Sequence, residues 1–123
     1  MQDFRNLSVW RKAHSLTLDV FAVCATFSRP PYFTLQNQTL RAAISVPANL
    51  AEGAGRTGDP EFRRFVRIAL GSASELEYHL LLARDLGLIP KAKHRTLSAV
   101  VSEVKRMLTG LAATLSNKPH ADG

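Results

Sequence analysis

Apolar side chains recur at spacings of three and four along four separate stretches of the chain, which is the pattern of amphipathic helices. The first predicted helix begins at Ser8, whose hydroxyl is expected to cap the free amides of the first turn, and it ends before Pro30 and Pro31. The second predicted helix runs from Leu35 to about Glu52 and carries small residues on its inner side. Small side chains allow neighbouring helices to approach closely.

Pro47 lies inside the second predicted helix. Because proline has no backbone N–H, the carbonyl of Ala43 is expected to stay unpaired and the helix to bend at this point. The pattern therefore predicts a kinked second helix, with a break into two shorter helices as the alternative.

The third predicted helix begins at residues 59–61 (DPE), which combine a cap, a first-turn proline and an acid near the positive end of the helix. It ends near Gly87. After Pro90 the apolar positions step by four and three residues, the seam of a helix packed nearly parallel or antiparallel to its neighbours. The positions of this seam are Leu97, Val101, Val104, Leu108, Leu111 and Leu115.

Short connections between four amphipathic stretches predict an all-α fold, an up-and-down antiparallel four-helix bundle. The chain has 123 residues and is 46% hydrophobic, enough for one domain to bury a core without disulfides or a structural metal. We expect this single domain to span residues 1–116 and residues 117–123 to form a flexible C-terminal tail, because that segment has no apolar pattern.

The single cysteine, Cys24, excludes an intramolecular disulfide and falls among apolar residues, where a thiol behaves as a small apolar side chain. The amino terminus lacks the apolar core of a signal peptide, and no stretch is apolar over the length that crosses a membrane. The sequence therefore predicts a cytoplasmic protein without a membrane partner.

The first predicted helix is apolar over more than one face, which exceeds what one bundle core covers. Apolar surface left over on such a protein marks an interface, so we expect self-association into a homo-oligomer. The residues spread around this helix are Trp10, Leu16, Leu18, Val20, Phe21 and Val23.

No pattern in the chain predicts a catalytic or cofactor site. Residues 53–58 (GAGRTG) spell a dinucleotide-binding glycine motif, but a predicted helix precedes them, which favours a turn between helices. The four histidines lack the spacing of metal ligands, and no serine or carboxylate pair forms a recognisable constellation. We therefore expect no catalytic residue, no metal, no cofactor and no small-molecule substrate, with a site assembled between subunits as the alternative.

The charge balance draws attention to one group of arginines. The chain carries 16 Lys and Arg against 10 Asp and Glu, a net charge of +6 that attracts polyanions. Arg63, Arg64 and Arg67 share one side of the third helix, and Arg56 precedes them, so we predict a patch that contacts the phosphates of RNA or DNA. The alternative is a solvated helix face. Phe65 is assigned to the core, so no stacking aromatic is expected to join the patch.

Four further polar residues lie on the helices with many small side chains. Where backbones pack closely, such groups are expected to pair internally and fix the register of the helices, a structural role. These residues are Arg41, Asn49, Glu52 and Glu75.

Three blocks of residues carry a resemblance to a known family. They are residues 4–14 (FRNLSVWRKAH), 40–53 (LRAAISVPANLAEG) and 68–77 (IALGSASELE). In this order they resemble the four-helix-bundle proteins called 23S rRNA intervening-sequence proteins. The resemblance covers the chain from about Phe4 to the end of the fourth helix.

The resemblance implies a small antiparallel bundle that forms a ring-like homopentamer and has no established enzymatic activity. Its architecture is similar to the accessory variability protein of diversity-generating retroelements, a basic pentameric barrel that works with nucleic acid. Family-motif positions carried over with structural roles are Arg41, Pro47, Asn49, Glu52, Gly53 and Glu75. The chain departs from the family at Leu40, where a second arginine is common, and at Thr34, where glycine is common.

Together these observations predict a non-enzymatic, homo-oligomeric scaffold that binds RNA or DNA through Arg56, Arg63, Arg64 and Arg67. The alternative is a protein-protein interaction module whose positive charge serves solubility alone.

Overall fold

The computed structural model describes residues 2–115, and within that range the chain forms four α-helices and no strand. The helices are α1 (Ser8–Cys24), α2 (Phe33–Ala54), α3 (Asp59–Asp85) and α4 (Lys91–Thr114). Short 3-10 helices over Phe4–Asn6 and Ala25–Phe27 precede and follow α1. The predicted all-α class is confirmed. The predicted tail, residues 117–123, lies outside the described residues.

The four helices form a ring in which each helix contacts its two neighbours. Helix α1 packs against α2 and α4, and α3 packs against the same two helices. The connections between consecutive helices are short, so consecutive helices run antiparallel. The predicted four-helix bundle is confirmed.

The core of the bundle follows the apolar stripes of the sequence, with one change at the end of α4. The first four seam positions of α4, from Leu97 to Leu108, are buried. In the last turn Ala112 is buried instead, while Leu111 and Leu115 are partly buried. An α-helix has 3.6 residues per turn, whereas apolar positions that alternate steps of four and three, as in α4, repeat every 3.5 residues on average. The stripe therefore rotates slowly around the helix, and in the last turn Ala112 faces the core in place of Leu111.

The start of α1 differs from the prediction. Ser8 lies inside the helix, and the N-cap residue is Leu7, which makes no side-chain cap. A 3-10 turn precedes the helix, and Asp3 caps that turn by accepting a hydrogen bond of 3.0 Å from the backbone N–H of Arg5. The backbone N–H of Leu7 donates to the carbonyl of Phe4, so the chain enters α1 through a bonded turn.

Helix α2 is continuous through Pro47, so the alternative of two shorter helices is wrong. The carbonyl of Ala43 is also not unpaired, because the hydroxyl of Thr17 on α1 donates to it at 3.1 Å. The same hydroxyl lies 2.8 Å from the carbonyl of Ala13. The buried threonine thus occupies the donor position that proline removes from the helix.

The turn from α3 to α4 is a Schellman motif. Gly87 adopts a φ of +74°, which an L side chain rarely adopts, and its N–H donates to the carbonyl of Arg84 at 2.9 Å. The N–H of Leu88 donates to the carbonyl of Ala83, also at 2.9 Å. Ile89 is buried in the core and anchors the turn. Arg84 and the first turn of α4 are therefore held close together.

A helix crosses a lipid bilayer only when it is both long and almost wholly apolar. No helix within residues 2–115 meets these two conditions.

Candidate functional site

Two of the predicted patch arginines stand over the ring of Phe65 near the start of α3. The guanidinium carbon of Arg64 is 4.6 Å from the ring centroid, and that of Arg56 is 5.2 Å from it. Both distances are in the range of cation–π contacts. Phe65 is buried, as predicted, but it lies outside the continuous core cluster. The ring lies under the two arginines at the edge of the α2–α3 contact and is covered by them, so the expectation that no aromatic ring offers a stacking surface in the patch stays a prediction.

The same two arginines have carboxylate partners on the surface. The Nη2 atom of Arg56 lies 2.5 Å from Oε1 of Glu52, and Nε of Arg64 lies 2.7 Å from Oε1 of Glu61. The hydrogen bond from Arg64 lowers the pKa of Glu61 and raises the pKa of Arg64 itself. In each pair the negative carboxylate offsets much of the positive potential of the arginine. The two arginines therefore attract a polyanion less strongly than unpaired arginines would.

Arg63 and Arg67 differ in their surroundings. Arg63 extends across to α4, and its Nε donates to the carbonyl of Ala112 at 3.3 Å. That carbonyl is in the last turn of α4, where the helix dipole favours a cation. Arg67 is exposed and makes no salt bridge within residues 2–115. The structure therefore brings Arg56 and Arg64 together on Phe65, while Arg63 lies apart at the α3–α4 contact.

Asn49 joins a small polar network between α2 and α3. Its amide donates to the backbone carbonyl of Ser45 at 2.8 Å and to the hydroxyl of Ser45 at 2.9 Å. The hydroxyl of Ser45 lies 2.7 Å from that of Ser72 on α3. These three half-buried side chains share hydrogen bonds across the helix contact, an arrangement that sets the register of the two helices.

At Gly53 the helices α2 and α3 approach each other closely. A Cβ atom built on Gly53 would lie 2.7 Å from Cβ of Phe65 and 2.9 Å from Cδ1 of Phe62. Contacts below 3.0 Å are not tolerated between carbon atoms, so only glycine fits between these helices at this distance.

Arg41 and Glu75 are exposed, on α2 and α3 respectively, and Arg41 makes no salt bridge within the described residues. Oε2 of Glu75 lies 3.6 Å from Nε2 of His79. The Nδ1 atom of His79 is buried without a hydrogen-bond partner in residues 2–115. These two motif residues therefore lie on the outer surface, unlike Pro47 and Gly53, which are buried.

The groups that could act as nucleophiles or metal ligands are few in this part of the chain. Cys24 is a buried free thiol, and burial raises its pKa from 9.0 to about 12, so it stays protonated at neutral pH. Within residues 2–115 no three His, Cys, Asp or Glu side chains come together as a metal site. The glycine-rich segment is the end of α2 and a short turn into α3.

A second cationic site lies at the α3–α4 turn, where the sequence pattern predicted none. A cavity of about 580 Å³ is lined there by Arg84, Asp85, Lys91, His94 and Arg95. The signal in the sequence is the run KAKHR after Pro90, which contains three full cations and no acid. That run does not indicate a site by itself, because Arg84 and Asp85, which complete the cavity, come from the end of another helix.

Four antiparallel helices around one apolar core define a small all-α bundle protein. The family model described as 23S rRNA-intervening sequence protein matches residues 5–110, and the chain belongs to this family. The resemblance carried by the three sequence blocks is thereby confirmed.

A solved structure gives the same fold. The chain is similar to a crystal structure of a protein of unknown function from the S23 ribosomal protein family of Bacteroides thetaiotaomicron, with a TM-score of 0.80 and 22% identity. The likeness covers 85% of this chain and 97% of that chain. No curated protein matches the chain. Neither the family description nor that structure names an enzymatic activity.

Proposed function

We propose that this protein is a non-enzymatic, homo-oligomeric helical scaffold that binds RNA or DNA. The proposal rests above all on a set of large apolar side chains that the bundle leaves exposed. The family resemblance suggests that the oligomer is a pentamer, and the excess of positive charge supports nucleic acid as the partner.

Two large apolar side chains that the bundle leaves exposed lie on α2, and three more lie on α1 and α3, the two helices that pack against α2. We call this set the α2 face, and its members are between 41% and 59% exposed. The hydrogen bond between Thr17 and Ala43 places these two residues at the same height along α1 and α2. The residues that follow them, Leu18 and Ile44, both belong to the α2 face. The α2 face consists of Leu18, Phe21, Phe33, Ile44 and Ile68.

A second copy of the chain is the occupant that we propose for the α2 face. Large apolar side chains grouped on one side of a small protein are typical of interfaces between subunits. In an oligomer the modest positive charge of one chain is repeated, so one nucleic-acid strand can contact several subunits, and avidity raises the affinity.

Replacing Leu18 and Ile44 together by glutamate is expected to shift the oligomer to monomer. Both side chains are exposed in the single chain, so the charges are tolerated in the bundle but are costly at a desolvated interface. The mass in solution, from gel filtration with light scattering, measures the shift, and circular dichroism checks the helix content.

The matched control is Leu81→Glu, at an exposed leucine of α3 that lies outside the α2 face beside His94 and Ser98. It is expected to keep the oligomer. A monomeric wild-type protein, or equal dissociation by the control, would contradict the role of the α2 face.

Binding to RNA or DNA is expected to weaken steeply as salt is raised, because each phosphate contact releases counterions. Fluorescence anisotropy with labelled structured RNA and duplex DNA across a salt series measures this slope. An intact oligomer that binds neither at low salt would favour the protein-protein interaction module.

A further inference from the structure

The cavity at the α3–α4 turn brings together basic side chains from two helices. We call it the turn cavity, and its volume of about 580 Å³ is in the range of ligand sites in proteins. Arg84 enters from the last turn of α3, whereas Lys91, His94 and Arg95 enter from the first turns of α4. The Schellman turn and the buried Ile89 hold these two helix ends in place.

The turn cavity carries excess positive charge. Its one carboxylate, on Asp85, is engaged by Arg84, whose Nε and Nη2 atoms lie 3.0 Å and 2.8 Å from Oδ1. Lys91 and Arg95 are exposed and make no salt bridge within residues 2–115. These two residues are four positions apart and lie on the same side of α4. The cavity therefore holds two cations that no carboxylate of the described chain neutralises.

The amino end of α4 adds to this positive field. No acidic residue lies in its first turn, and the N-cap residue, Pro90, makes no side-chain hydrogen bond. Helix α3 differs, because Asp59 and Glu61 lie in its first turn. An uncompensated helix end strengthens the attraction that Lys91 and Arg95 exert on an anion.

Within residues 2–115, the predicted arginine patch has fewer cations without a partner than the turn cavity, and it lies near a helix start that carries two acids. Arg56 and Arg64 are paired with glutamates, and Arg63 donates to a backbone carbonyl of α4. Only Arg67 stands on the surface without such a partner in the described chain. The balance of paired and unpaired cations therefore favours the turn cavity as the place where phosphate is bound.

We propose that the turn cavity binds phosphate groups of a nucleic-acid backbone, with Lys91 and Arg95 as the principal contacts. Arg95 offers the planar fork that matches a phosphate, and Lys91 supplies a point charge beside it. This inference deepens the proposed function and rests on its nucleic-acid part. A free phosphate or a nucleotide carries the same chemistry, so the test distinguishes these sources.

The test compares two double variants with the same change in charge. Lys91→Glu with Arg95→Glu alters the turn cavity, and Arg64→Glu with Arg67→Glu alters the predicted patch. Each pair takes the net charge from +6 to +2, so a general loss of charge affects both equally. All four side chains are exposed, and acids near the amino end of α4 favour the helix, so both variants are expected to fold.

The probe is a labelled single-stranded RNA, with duplex DNA in parallel, measured by fluorescence anisotropy from low to high salt. The turn-cavity variant is expected to bind at least about 10-fold more weakly at low salt. Its salt slope is expected to fall by about 1.4 on single-stranded RNA and by about 1.8 on duplex DNA, because each of the two substitutions removes one bound phosphate. The patch variant is expected to change affinity by less than about 3-fold, the part due to net charge alone.

Equal weakening by both variants would overturn the inference, and so would weakening by the patch variant alone. Either result leaves the proposed function standing, because the wild-type protein binds. A wild-type protein that binds no nucleic acid would overturn both the inference and the nucleic-acid part of the proposed function.

In a parallel experiment, wild-type protein and the turn-cavity variant are titrated with inorganic phosphate and a nucleoside monophosphate. Binding there that requires Lys91 and Arg95, without binding of RNA or DNA, would identify a small phosphate compound as the ligand and overturn the nucleic-acid assignment.

Discussion

Gly53→Ala is expected to lower the free energy of unfolding by about 1–3 kcal/mol, the usual cost of overpacking a closely packed contact. The added methyl carbon would lie 2.7 Å from Cβ of Phe65 and 2.9 Å from Cδ1 of Phe62. The ring of Phe62 has some freedom to turn, but Cβ of Phe65 moves only with the backbone of α3. Relief of the clash therefore requires α2 and α3 to move apart, which loosens the network of Ser45, Asn49 and Ser72.

Gly71→Ala is the matched control, since Gly71 also lies inside a long helix. A Cβ atom at Gly71 meets nothing within 4 Å, so alanine is expected to raise stability there by about 0.5–1 kcal/mol through helix propensity. Urea unfolding followed by circular dichroism measures both variants. If Gly53→Ala were as stabilising as Gly71→Ala, the close approach of α2 and α3 would not limit the side chain at position 53.

Thr17→Val is expected to lower stability by about 1–3 kcal/mol, because it leaves the buried carbonyl of Ala43 without a donor. Valine has nearly the same shape as threonine, so packing in the core changes little. The carbonyl of Ala13 keeps its helical partner, the backbone N–H of Thr17, and contributes little to the loss.

A double-mutant cycle with Pro47→Ala tests whether the loss comes from the carbonyl of Ala43 that Pro47 leaves without a backbone donor. Alanine at position 47 restores the backbone N–H that the carbonyl of Ala43 lacks, so Thr17→Val is expected to cost about 1 kcal/mol less in that background. The change in packing caused by the loss of the proline ring cancels in the cycle. Additive effects within about 0.3 kcal/mol would show that Thr17 does not compensate for Pro47.

The helices of this protein are largely predictable from its sequence. Apolar spacing and the turn residues give four helices, and the helix ends near Pro30, Gly87 and Pro90 agree with the structure. These features are local, since they depend on residues within one or two turns of each other. The expected cap at Ser8 failed because a preceding 3-10 turn begins α1 one residue earlier than the side-chain signal suggests.

The candidate site is less predictable. Spacing along α3 places Arg63, Arg64 and Arg67 near one another, but it does not reveal that Arg63 reaches Ala112 on α4. By contrast, the pairs of Arg56 with Glu52 and of Arg64 with Glu61 have the four- and three-residue spacings of pairs on a helix surface, which the sequence does show. The turn cavity is as unpredictable as the contact of Arg63, because it exists only where the end of α3 meets the start of α4.

The sequence by itself determined the all-α class, the number and extent of the helices, and the surplus of apolar residues and positive charge. The tertiary structure alone decided which donor satisfies Ala43, how closely Gly53 approaches α3, that Arg63 reaches α4, and where the basic side chains of α3 and α4 meet. Helix formation depends on neighbours along the chain, whereas these features depend on atoms from different helices, whose distances are set only when the bundle packs.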